Sequence, residues 1–244
     1  MKKALIALIA IFYLPALSFA HSLWMEVSGA TKVGQKQIVK VYFGEYSEKL
    51  KEDFNKYAYM KPFRAWVVAS DGNVIDLQFI SGDNCMMAEF IPTKKGVYTV
   101  WLDQSERPVS DLSKHGLGIV KPNTYCNSIV IIDNDLTEKK SWSKTSEMYI
   151  KPLHSASLKQ EENIGFLLMF QGKPQVKQTI TIVAPNGWSK EVTTNEYGEF
   201  YLEPLWTGNY VLEYSYSNKT PGEYQSVKYE QIRYKLSTTL KVTE

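Results

Sequence analysis

The stretch Asn163-Ile164-Gly165-Phe166-Leu167-Leu168-Met169-Phe170, turned by Gln171-Gly172-Lys173-Pro174 into Thr179-Ile180-Thr181-Ile182-Val183-Ala184 and again by Pro185-Asn186-Gly187, decides the fold. Short apolar and β-branched runs separated by Gly, Pro and Asn read as strands and turns. Gly or Asn stands in each turn, where a positive φ is needed. Outward from here the pattern continues. Trp188–Thr194 pairs back, Asn195-Glu196-Tyr197-Gly198 turns again, and Glu199–Leu202, Asn209–Tyr216 and Tyr234–Val242 follow. Turns about ten residues apart are the mark of a sandwich.

Toward the N-terminus, residues 134–148 are polar and charged and read as a linker. Before them come more short strands: Ile38–Phe43, Phe63–Ala69, Val74–Ile80, Cys85–Ile91, Gly96–Leu102 and Asn123–Ile132. Asp71-Gly72-Asn73 is a hairpin turn of the Asp-Gly type. Tyr46, Leu50, Phe54 and Tyr57 recur at helical spacing and predict one short amphipathic helix. The expected fold is all-β, with two tandem β-sandwich domains at 21–133 and 149–244. Aromatic residues at 13%, with 16 Tyr and 6 Trp, suit half-buried strands.

Residues 1–20 read as a cleaved secretory signal. Met1-Lys2-Lys3 is positive, Ala4–Leu17 is apolar, and Ser18-Phe19-Ala20 offers small residues at both positions a signal peptidase inspects. The apolar run is too short to span a bilayer comfortably. Cleavage makes His21 residue one of a periplasmic or secreted protein. It also removes two lysines and so cancels the formal net charge of +2. A balanced chain offers no electrostatic case for nucleic acid or acidic membranes, and no membrane insertion of the mature chain is expected.

Cys85 and Cys126 are the two cysteines. In an oxidising compartment they form a disulfide or stay as two buried thiols in adjacent strands; the sequence leaves both open. Cys85, Met86 and Met87 are soft donors suited to cuprous ion, against a core-packing role on an apolar strand.

The histidines are His21, His115 and His154. A histidine at residue one chelates a metal through its α-amino group and ring Nδ1, because the amine's ordinary pKa, about 7.7–8.0, lets a metal displace the proton near neutral pH. One further imidazole completes a three-nitrogen histidine brace, which favours copper, with nickel and zinc also fitting. His115, in a polar loop, and His154, at the entry to the second domain, are candidate partners, and Glu45 is a candidate carboxylate ligand or orienting partner. Gly-x-Ser-x-Gly, His-Glu-x-x-His, Cys-x-x-Cys and a phosphate-binding glycine loop are all missing, which leaves ordinary hydrolase chemistry little support.

The start His21-Ser22-Leu23-Trp24-Met25-Glu26 and the strand end Val41-Tyr42-Phe43-Gly44-Glu45 resemble the NikM-like family, secreted two-domain β proteins of unknown function associated with nickel and cobalt uptake. Tyr125-Cys126-Asn127-Ser128-Ile129-Val130 and the turn-rich second half, through Gly208-Asn209-Tyr210 and Tyr229–Tyr234, are similar too. The resemblance implies immunoglobulin-like or transthyretin-like sandwiches and metal handling. The chain departs from it at Tyr234, where the family often has a histidine, so the resemblance implies that His115 or His154 completes the site or that binding is weaker. Three functions follow as expectations. The first is an extracytoplasmic protein that takes copper, nickel or cobalt as its divalent metal ion at His21 and delivers it to a membrane metal transporter. The second is a structural or docking module without metal. The third is a copper-dependent oxidase of brace type. Metal stoichiometry separates the second from the others, and oxygen turnover separates the third from the first.

Overall fold

A computed structural model describes residues 21–57, 60, 63–154 and 157–244; the expected signal, residues 1–20, lies outside the described residues. The front half contributes β1 (Ser22–Ser28), β2 (Gln37–Glu45), β3 (Leu50–Lys51), β4 (Arg64–Val68), β5 (Val74–Asp76), β6 (Ile80–Ser81), β7 (Met86–Phe90), β8 (Gly96–Asp103), β9 (Ser110–Asp111) and β10 (Ile119–Ile132). The back half contributes β11 (Met148–Pro152), β12 (Ile164–Phe170), β13 (Lys173–Pro174), β14 (Thr179–Val183), β15 (Ser189–Thr193), β16 (Glu199–Leu202), β17 (Gly208–Asn218), β18 (Gly222–Tyr224), β19 (Val227–Tyr229) and β20 (Gln231–Val242). The fold is all-β, as expected, and the tandem-sandwich description fits it.

The two sandwiches share a sheet. Nine strands run β15-β14-β17-β20-β10-β8-β4-β5, with β9 paired on β10. The junction is β10 against β20, parallel, with Val120–Ser128 opposite Gln231–Thr239. A second sheet, β1-β2-β7-β6 with β3 on β2, covers one face; a third, β11 and β12 with β13 and β16, covers the other.

Strand alternation shows how one strand serves both cores. Side chains of successive residues point to opposite faces. Along β10, Tyr125 and Ile129 enter the core under the third sheet, beside Ile150, Phe166 and Leu212. Cys126, Val130 and Ile132 enter the core under the second sheet, beside Leu23, Val41 and Val100. Such a strand is buried on both faces, which the 14 residues of β10 almost entirely are.

The polar stretch 134–148 is not a free linker. Ser141 is buried; its hydroxyl donates to the Val97 carbonyl at 2.7 Å and its carbonyl accepts from Thr99 Oγ1 at 2.5 Å. Trp66 Nε1 donates to the Lys144 carbonyl at 3.1 Å, and Trp142 packs edge-on to Trp101 at 5.6 Å. Although several of its side chains are exposed, these contacts tie the stretch to the shared sheet. The predicted helix is also absent. Leu50 lies in β3, and only Phe54–Lys56 make a 3-10 turn. Tyr46 instead packs on Trp24 and Tyr57 on Phe43, so two unrelated contacts imitate a helical period.

Both cysteines are free thiols. They pack against opposite faces of the second sheet, Cys85 beside Trp24 and Tyr42, and Cys126, from β10 of the shared sheet, beside Leu23 and Met25. Among the described residues no helix is long and apolar enough to cross a membrane.

Lys121 is a buried cation on β10, only 4% exposed, and its Nζ donates to Ser105 O at 2.6 Å and Asn123 Oδ1 at 2.7 Å. Burial, then the neighbouring Arg107 charge, pushes its pKa down to about 8. Unfolded lysine titrates near 10.4. The unfolded chain therefore holds more protons between those values, and stability rises with pH across that window. The penalty is fully present below pH 8. Relative to Lys121→Met, the native chain is expected to gain on the order of 2 kcal/mol between pH 7 and 10. Urea unfolding at both pH values checks this, and a difference that stays flat with pH refutes it.

Candidate functional site

His21 stands one residue before β1, whose ladder with β2 opens at Ser22 opposite Gly44. Its ring lies 5.5 Å from Phe43, and Nε2 is 3.2 Å from Glu52 Oε1. Glu52 reaches this place because β3 folds back on the end of β2, Gly44 opposite Lys51 and Glu45 opposite Leu50, while Glu52 N donates to the Phe43 carbonyl at 2.8 Å. Gly44 permits that return. It has φ +151°, and a Cβ there would overlap the Leu50 carbonyl oxygen.

The backbone of residue 21 is fastened from the other half of the chain. Lys235 Nζ donates to the His21 carbonyl at 2.9 Å. Ser237 Oγ donates to the Leu23 carbonyl at 2.6 Å, and Ser22 Oγ donates to Glu213 Oε1 at 2.7 Å. These contacts join residues about two hundred positions apart because β17 and β20 turn a polar face toward the start of β1. Their register sets Glu213 opposite Ser237, Ser215 opposite Lys235 and Ser217 opposite Arg233.

Between them lies a cleft of about 330 Å³, lined by Ser22, Thr124, Thr179, Thr181, Ser215, Glu191, Glu213, Arg233 and Lys235 among others. Its charges are poorly solvated. Burial, then the Arg233 charge, pushes Lys235 down to about 8, and burial also lowers Arg233. Burial raises the Glu213 carboxyl, with the Ser22 hydrogen bond opposing it.

The expected metal residues are distributed as follows. The carboxylate found at the His21 ring is that of Glu52. Glu45 lies at the end of β2 and accepts Ser47 Oγ at 2.9 Å. His115 ends a 3-10 turn, Ser113–His115, and is exposed. It precedes the start of β10. His154 is also exposed, after β11, which runs along β10 in the same direction with Tyr125 on Glu147 and Asn127 on the Ile150 carbonyl. The two histidines therefore flank opposite ends of a 14-residue strand, roughly 40 Å long at 3.3 Å per residue. Among the described residues no three His, Cys, Asp or Glu side chains gather as an ion would require. His21 with Glu52 beside its ring fits a chelate built on residue one, and His115 and His154, at opposite ends of β10, do not gather with each other. Glu52, Glu213, Arg233 and Lys235 were missed because no spacing announces them; only strand register brings them together.

The geometry defines a double-sandwich protein with a polar cleft beside its first strand. The chain belongs to the family described as Domain of unknown function (DUF4198), whose model matches residues 18–218. A search of curated proteins finds no match. Similar solved structures include Salmonella alpha-2-macroglobulin reacted with methylamine, at 11% identity and TM-score 0.29, covering 90% of this chain and 15% of that one. A two-domain fibronectin type-III segment of chicken tenascin shows 13% identity and TM-score 0.23, covering 89% of this chain and 97% of that one. The BSP domain of a biofilm-associated protein shows 15% identity and TM-score 0.21, covering 89% and 29%. This chain thus spans a small part of the macroglobulin's length, and likenesses of this size carry no argument about function.

Proposed function

We propose that this is an extracytoplasmic protein that captures copper, nickel or cobalt through the α-amino group and ring Nδ1 of a mature N-terminal His21 and delivers it to a membrane transporter. The observation that carries this reading is the double fastening of residue 21, ring Nε2 on Glu52 and carbonyl oxygen on Lys235. An Nε2–H donated to the Glu52 carboxylate puts the ring's lone pair on Nδ1, the nitrogen nearer the α-amine. The resemblance to nickel- and cobalt-associated proteins points the same way.

The test is calorimetric titration of cupric, nickel and cobalt ions into mature protein starting at His21, beside a chain with one added residue ahead of it. Loss of the α-amine as donor is expected to weaken binding about 100-fold. Glu52→Gln, which leaves both donors in place, is expected to weaken it about tenfold. Equal affinities for the authentic and extended chains would end the reading.

A further inference from the structure

We propose that the cleft beside His21 is a binding site for a free α-amino acid, its carboxylate held by Lys235 and Arg233 and its ammonium by Glu213. The inference stands apart from metal binding at His21.

It begins with the two cations. Arg233 and Lys235 are two residues apart on β20, so both face the cleft, and both are half-buried. Among the described residues the Arg233 guanidinium makes no hydrogen bond or ion pair, and the Lys235 ammonium donates only to the His21 carbonyl. Glu213 and Glu45 act on Lys235 from a distance, but a half-buried guanidinium and ammonium with no carboxylate in direct contact leave room for a ligand to supply one. A planar guanidinium fork beside an ammonium suits a carboxylate.

The opposite charge lies one step along the sheet. Glu191 pairs with Thr181, Thr181 with Glu213, and Glu213 with Ser237, forming one row across four strands. Lys235 lies in the next same-face row and Arg233 in the one beyond. Successive rows are about 7 Å apart, so Lys235 and Glu213 stand at a span that an α-ammonium and an α-carboxylate bridge with a hydrogen bond at each end. Arg233, about 14 Å from the Glu213 row at the backbone, lines the same cleft from the far side of Lys235. The cleft is thus dipolar rather than positive, which favours a zwitterion over a simple anion. Glu213 is already occupied on one oxygen by Ser22 Oγ, and the other remains available to an ammonium. Glu191 is exposed at the rim. Thr124, Thr179, Thr181 and Ser215 line the walls with hydroxyls. The volume, about 330 Å³, falls at the small end of ligand sites, about 300–1,000 Å³.

The test screens the proteinogenic L-amino acids at millimolar concentration against the metal-free mature chain by thermal shift, then measures the strongest by calorimetry. At least one is expected to bind. Its analogue lacking the amino group and its analogue lacking the carboxylate are each expected to bind at least about tenfold more weakly. Arg233→Gln is expected to lose about tenfold in affinity while Lys241→Gln, outside the cleft, loses nothing. The analogues need no variant, so a misfolded Arg233→Gln leaves the question decidable. Binding of no amino acid overturns the proposal, and so does equal binding of the deaminated analogue, which would make the cleft a plain anion site. Neither result touches metal binding at His21, whose own failure would appear only in the extended-chain comparison.

Discussion

Replacing Gly44 by alanine is expected to destabilise the protein by on the order of 3 kcal/mol or more. Gly44 holds φ +151°, a region that side-chain-bearing residues rarely enter, and its missing Cβ leaves room for the Leu50 carbonyl oxygen. That obstacle is backbone, so it cannot rotate away. Either the β2–β3 pairing opens or the strand end twists, and both displace Glu52 from the His21 ring. Gly34 is the control. It also has a positive φ, +75°, but nothing lies within 4 Å of an added Cβ, so alanine there should cost only the left-handed backbone strain, about 1–2 kcal/mol. Urea unfolding of the two variants decides the matter. If Gly44→Ala loses no more than Gly34→Ala, the return of β3 does not depend on glycine. If the proposed function holds, Gly44→Ala also loses the metal affinity that Glu52→Gln loses.

A chain comprising residues 21–133 alone is expected not to fold, although the sequence reads as a complete first domain. Without the back half, β10 loses its parallel partner β20 along Val120–Ser128. Val97, Tyr125 and Ile129 lose the core they enter, and Trp101 loses Trp142 and Tyr149, which pack on it at 5.6 Å each. Burying one large apolar side chain stabilises by about 1.5–3 kcal/mol. Four together amount to roughly 6–12 kcal/mol, comparable with the whole stability of a typical domain, about 5–15 kcal/mol. The intact mature chain is accordingly expected to unfold in one transition, with far-ultraviolet circular dichroism and tryptophan fluorescence coinciding. A dispersed amide spectrum from the 21–133 fragment would show that the shared sheet is not a folding requirement.

The sequence by itself determined the all-β class, most strand positions and the turns, because those rest on local terms: β-branched and aromatic propensity, and glycine or asparagine where φ is positive. Val74-Ile75-Asp76 after Asp71-Gly72-Asn73, and Thr179–Val183 before Pro185-Asn186-Gly187, needed nothing beyond their neighbours. It also singled out His21, through the expected peptidase cut. Tertiary structure decided everything that depends on pairing between distant segments. That β10 joins β20, that residues 134–148 are fastened to β8 and β4, and that Glu52 rather than Glu45 is seen at the His21 ring all follow from register. A one-residue change of register would send each of these side chains to the opposite face. The cleft carries the same lesson. Ser22, Glu213 and Lys235 have no spacing in common, and their meeting is created by the packing of β1 across β17 and β20, where a ladder 11 residues long sets which polar side chains face one another.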